Sequence, residues 1–219
     1  KRAGCHIHIA HVSTKEAVEM IRRAKGELRK KAGGEEGVFR ISCEAMPHHI
    51  ALTEGRAREL GEESFGRVNP PLRAEADRRA ILEALLDGTI DAIATDHAPH
   101  SMEDKAGGAP GFSGLETAFA VCYTELVGNG AGGRMDLGRL SSLMSAGPAR
   151  LLGLAGGCAG RGLIAPGLRA DLVIIDPEAV RKVDPASFKS RGKNTPFAGR
   201  ELFGRVLMTI QSGRVVFEA

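Results

Sequence analysis

Residues 88–100 read Gly-Thr-Ile-Asp-Ala-Ile-Ala-Thr-Asp-His-Ala-Pro-His, and three of their side chains could do chemistry together: Asp96, His97 and His100. A carboxylate can hold a divalent metal or move a proton, and an imidazole can do either or hold a substrate. Residues 90–94 before them form a short, mostly apolar, β-prone run that stops abruptly at the acid. A strand of a parallel α/β barrel has this form where its carboxyl end opens into an active site. On the residues alone the pattern is equally a turn, with Asp96 capping a helix and Pro99 ending the strand.

Two further strand ends carry histidines. His11 closes the run 5–12, which also contains His6 and His8; in a strand His6 and His8 share a face and His11 has the opposite parity. His48 and His49 follow a predicted strand at 38–45. Asn69 offers an amide donor and acceptor, or is simply the turn residue before Pro70, and Arg73 could pair with an acid or a substrate. Cys5, Cys43, Cys122 and Cys158 contain no Cys-x-x-Cys pair and read as core residues. That spacing disfavours disulfides and fits an intracellular, reducing, cytoplasmic setting.

The positioning elements follow from periodicity. Ser13 with Glu16 predicts a capping box for a helix with a stripe of Ala17, Val18, Ile21 and Ala24, fading near Gly33-Gly34. A short helix is predicted at 56–60, an irregular proline segment at 68–73 and an amphipathic helix over 75–86 ending at Gly88. The repeated strand–helix order predicts an α/β fold with a parallel sheet. Residues 105–114 form a glycine-rich loop over the site; 115–127, 137–144 and 148–152 read as helices. After a boundary near 153–160, β-prone runs at 170–175, 201–211 and 215–218 follow, with Ser212-Gly213 as a hairpin turn. The domain expectation is therefore 1–155 and 156–219.

Composition narrows the function. The 219 residues carry 30 basic and 27 acidic side chains, one Tyr and no Trp. So balanced a charge, with no aromatic platform, argues against nucleic acid. No apolar run approaches the ~20 residues of a membrane span.

The blocks "IDAIATDHAPHSMEDK", "HIHIAHVSTKEAVEMIRRAK", "EAMPHHIALTE", "VNPPLRAEADRRAILEALLDGTID", "GAPGFSGLETAF", "GLRADLVIIDPEA" and "KNTPFAGRELFGRV" resemble dihydroorotases, cyclic-amide hydrolases of the amidohydrolase superfamily. The resemblance implies the last three βα units of a (β/α)8 TIM barrel, then strands of a small composite β-sandwich. It implies zinc, one or two divalent ions, with His11 and Asp96 as metal ligands and Asp96 as the catalytic proton shuttle. Asn69, His100, Pro110 and Gly111 would contact substrate, and His97 would orient Asp96. His6 and His8 match a later block than the first-strand His-x-His motif, so they are structural, as are His48 and His49. The reaction would interconvert L-dihydroorotate and N-carbamoyl-L-aspartate in de novo pyrimidine biosynthesis. A homo-oligomer and an aspartate transcarbamoylase partner are implied. The alternatives are a non-catalytic scaffold for that partner and a hydantoinase- or allantoinase-type hydrolase. The chain is expected to begin inside the family pattern, with the remaining metal ligands in a preceding half.

Overall fold

The computed structural model describes residues 5–31, 41–128, 133–155 and 160–219. The predicted helix stop at Gly33-Gly34, the first residues of the 38–45 strand, Cys158 and part of the predicted domain boundary lie outside them.

The fold is α/β. Strands β1 (Ile7–Ile9), β2 (Ile41–Ala45) and β3 (Ala92–Ile93) form one sheet in that order, parallel throughout. Helix α1 (Lys15–Lys31) connects β1 to β2. Helices α2 (Pro47–Ala51), α3 (Glu54–Leu60) and α4 (Glu75–Leu86) lie between β2 and β3. Alternation along β2 sets the two faces. Ile41, Cys43 and Ala45 point to the helices, where they pack with Val18 and Ile21 of α1 and Ile81, Leu82 and Leu85 of α4. Ser42 and Glu44 point to the other face, toward His6, His8 and His11.

One polar staple ties α1 to this sheet. The Lys25 ammonium donates to the Thr89 carbonyl at 2.8 Å and to Asp91 Oδ2 at 2.5 Å, and that oxygen also accepts from the Cys43 N–H at 2.8 Å. The predicted capping box is corrected by one residue. Helix α1 starts at Lys15, and the Thr14 hydroxyl, not Ser13, accepts the Ala17 N–H at 3.2 Å. Ser13 is buried.

Helices α5 (Met102–Ala106), α6 (Ala118–Cys122), α7 (Leu137–Ser141) and α8 (Gly147–Leu151) follow, the last three flanked by π-type turns at Tyr123–Val127 and Ser142–Ala146. Part of the expected glycine-rich loop is thus helical. The second sheet is antiparallel, β4 (Leu172–Lys182), β5 (Glu201–Gln211) and β6 (Arg214–Glu218) in order. Ser212 and Gly213, both at positive φ (52° and 78°), make the predicted two-residue hairpin. Every residue of β6 is exposed. A second apolar cluster joins this part to the site loops: Val68, Leu72 and Phe112 pack with Val183, Phe188, Phe197 and Leu202. No helix among the described residues is long and apolar enough to cross a membrane.

Candidate active site

Two strand ends meet here. Parallel pairing brings β1 beside β2 and β2 beside β3, so the segments that leave β1 and β3 emerge on the same end of the sheet. β1 ends at Ile9, and Val12 N–H rejoins β2 by donating to the Glu44 carbonyl at 3.0 Å. His11 between them has φ 59°. That left-handed residue breaks the parity expected of a straight strand. His8 and His11 therefore reach the same carboxylate: His8 Nε2 lies 3.1 Å from Glu44 Oε2, and His11 Nδ1 3.4 Å from Glu44 Oε1. The second approach is off-line for a hydrogen bond, which leaves His11 Nδ1 buried without one.

Asp96 follows β3 with φ 49°. Its Oδ1 is 3.6 Å from His11 Nε2, and its Oδ2 is 3.8 Å from His48 Nε2. These separations exceed a good hydrogen bond and leave the facing lone pairs free. The Asp96 carboxyl is held above the usual carboxylate range. Burial is the main cause; His11 opposes it and the charge of Glu44 adds to it.

His48 and His49 sit on α2, not on the strand, and both are buried. His48 packs edge-on against Phe112 at 5.5 Å, and burial, then His49 and His11, push its pKa well below 6.5. Its Nε2 is buried with no hydrogen-bond partner among the described residues. His49 Nε2 donates to the Pro70 and Pro71 carbonyls, both at 3.2 Å, and so ties the Asn69 loop to α2. His49's pKa is lowered to about 4, chiefly by burial.

His6 and His8 share a face as expected, both contacting Ser42 Oγ at 2.8 Å. His97 does not orient Asp96. Its Nδ1 accepts the Gly114 and Leu115 N–H groups, both at 3.2 Å, and pins that loop instead. His100 Nε2 donates to the Pro110 carbonyl at 3.0 Å, so His100, Pro110 and Gly111 come together. Asn69 is exposed on its loop, and among the described residues its side chain makes no hydrogen bond to them. Arg73 Nε is buried with no hydrogen-bond partner among the described residues. Cys43 is buried with its thiol pushed up to about 11, and Cys122 is buried with its thiol pushed up as well. Neither is a poised nucleophile. Cys5 is exposed, a correction to its core assignment.

Glu44, beside His8 and His11, was missed from sequence, as were Lys105 and Asn194, which both donate to the Gly111 carbonyl of the loop beside His100. The one signal was Glu44 itself, a lone acid inside the strand Ile-Ser-Cys-Glu-Ala. A cleft of about 420 Å³ lined by Glu59, Phe65, Met102, Lys193, Asn194 and Thr195 shares Asn194 with the His100 loop but is lined by neither His11 nor Asp96.

The model of the amidohydrolase family matches residues 1–216. The chain belongs to that family. Among curated members, it is 45% identical over 218 residues to a dihydroorotase of Clostridium botulinum, which covers 100% of this chain and 48% of that protein. A dihydroorotase of a Geobacillus species is 44% identical over 219 residues, covering 98% and 47%. Among solved structures, this amidohydrolase chain resembles L-hydantoinase from Arthrobacter aurescens, with TM-score 0.85, 32% identity, and 99% and 46% of the two chains covered. D-hydantoinase from a Thermus species gives TM-score 0.82 at 27% identity, covering 96% and 44%. The chain spans about half the length of the curated relatives it matches.

Donor chemistry suits a divalent cation at the His11–Asp96 pair, because an imidazole nitrogen and a carboxylate oxygen face each other unbonded. Among the described residues no group of three or more His, Cys, Asp or Glu side chains gathers as a full metal site.

Proposed function

We propose that this chain carries the proton-transferring part of a dihydroorotase, which opens the ring of L-dihydroorotate to N-carbamoyl-L-aspartate and closes it again. The observation that carries this is the convergence of His11 and Asp96, at left-handed turns after β1 and β3, the two strands that flank β2, to 3.6 Å. Dihydroorotases at 40–45% identity support the substrate class over that of the hydantoinases, whose similarity to this chain is lower. In this reading β1 to β3 are the last three strands of a (β/α)8 barrel, residues 1–155 belong to it and 156–219 to a β-sandwich. Zinc is the expected metal, with His11 and Asp96 supplying two of its ligands. The other ligands come from the half that the relatives have and this chain does not span.

A bound divalent cation supplies Lewis acidity that brings water within reach of a carboxylate base. Asp96 does the rest. Its raised pKa makes it a stronger base than a free carboxylate. It takes the proton of the attacking water as the C–O bond forms, then delivers that proton to the ring nitrogen as the C–N bond breaks. Neutral His48, beside it, adds no competing charge. His100 and the Pro110–Gly111 peptide hold the ring, and Asn69 closes over it.

The test is turnover of L-dihydroorotate, hydantoin and allantoin by the metal-loaded protein, with the 219-residue chain assayed alone and together with a complementary amino-terminal half. Turnover of L-dihydroorotate, lost by about 10²–10⁴-fold in Asp96→Asn, is expected. The chain alone should give little. Turnover of hydantoin or allantoin in preference overturns the substrate assignment, and no turnover in the complemented protein favours the non-catalytic scaffold.

A further inference from the structure

Lys105 is completely buried, yet the proposed reaction does not use it. Its ammonium donates to three backbone carbonyls: Arg67 at 2.9 Å, Ala109 at 2.7 Å and Gly111 at 3.1 Å. It lies 5.5 Å from the centre of the Phe112 ring, and among the described residues no carboxylate pairs with it. Burial, helped by the charge of Arg67, lowers its pKa to about 8. A buried cation with no anion is costly, and an apolar side chain of the same volume would pack there without that cost. What the cation adds is direction: three carbonyls from two chain segments turn toward one point.

Asn194 arrives from the far end of the chain at the same carbonyl. Its Nδ2 donates to Gly111 O at 2.8 Å, and its Oδ1 accepts the His100 N–H at 3.3 Å. Its own carbonyl accepts the Ser113 N–H at 2.7 Å. The Gly111 carbonyl therefore takes one donor from each residue, using both lone pairs. Gly111 itself sits at φ 133°, and a Cβ there would lie 2.5 Å from the Ala98 Cβ. The peptide is held from both sides, against the backbone that carries His100.

We propose that Lys105 and Asn194 are positioning residues for substrate recognition, clamping the Gly111 carbonyl so that the Pro110–Gly111 peptide and His100 keep one geometry. The inference rests on the reading of those three residues as ring contacts. Lys105 and Asn194 touch no substrate; they set the loop that does.

The experiment compares Lys105→Met, Asn194→Ala and the double variant with the wild type, in the metal-loaded, complemented protein. Two readouts are taken: KM and kcat for L-dihydroorotate, and amide hydrogen exchange over residues 109–113. Each single variant should raise KM by about tenfold, the loss of one charge-assisted or neutral hydrogen bond, with kcat changed by less than about threefold. Exchange in the loop should quicken in step. The double variant should raise KM by less than the product of the singles, because both act through one acceptor. Should Lys105→Met fail to fold, Asn194→Ala carries the same prediction through the same carbonyl. Unchanged KM and exchange in folded variants overturn the proposal, as does a fall in kcat at constant KM. Absence of wild-type turnover would sink the dihydroorotase reading instead, while exchange still reports on the clamp.

Discussion

At the scale of the residue, Glu44 links more of the site than any other side chain. It faces His8 and His11 from one carboxylate, and it helps raise Asp96. A carboxylate beside a ligating imidazole fixes its ring and tautomer. Glu44→Gln should therefore weaken divalent-metal binding by about 10–100-fold, measured by chelator competition, with the fold kept. Binding equal to wild type would show that His11 is held by its backbone alone. Asp96, His11 and His100 could be singled out from sequence as candidates because each follows a β-prone run or lies within a few residues of another reactive group, and the structure brings His11 and Asp96 to 3.6 Å. Glu44, Lys105 and Asn194 were not singled out, since a polar residue in a strand, a short helix or a loop declares its role only through its partners. The His97 assignment failed for the converse reason. Adjacency to Asp96 in the chain says little about direction, and its imidazole turns to the Gly114 and Leu115 N–H groups.

At the scale of the element, helix α2 buries two neutral histidines, and this makes it sensitive to acid. His49 has a folded pKa of about 4 against an ordinary 6.5. Between those values the unfolded chain binds a proton that the folded one refuses. Stability then rises with pH across that window, and is lost as pH falls from about 6.5 toward 4, by on the order of 2–3 kcal/mol. Thermal melts at pH 7 and pH 4.5 should show the drop, and His49→Asn should flatten it while lowering stability at pH 7. A wild-type melt independent of pH over that range would mean that α2 opens to solvent. Helix α4 and strand β5 have the bounds that periodicity and Gly88 predicted, because long amphipathic or β-branched runs leave little choice. Strand β3 is only two residues long where five were expected. Its apolar run is set by burial on both faces, while pairing stops where the chain must turn toward the site. The helical turn at 102–106 within the glycine-rich loop comes from the capping box of Ser101 and Asp104, a local signal overlooked beside the glycines.

At the scale of the molecule, the second sheet has too little cover. Val173, Ile174, Val215 and Val216 are about half exposed, and among the described residues β6 pairs only with β5. Open apolar strands with a free edge invite pairing with other chains. The 219-residue chain on its own should self-associate as concentration rises, seen by sedimentation velocity. Val173→Lys with Val216→Lys should shift it toward monomer, as should a complementary amino-terminal half. A wild-type chain that stays monomeric would mean that these faces need no partner. The apolar pattern of these strands was readable in sequence, but what covers them was not.

His11 and Asp96 both sit in a left-handed backbone conformation that non-glycine residues adopt at a cost of about 1–3 kcal/mol. The fold therefore ought to grow more robust as the protein loses its use. On the proposed assignment, Asp96→Gly removes the conformational strain together with a half-buried carboxylate, and it should melt above the wild type while losing at least as much turnover as Asp96→Asn. Selection for heat tolerance alone would, on the same assignment, favour glycine at these two positions at the expense of turnover.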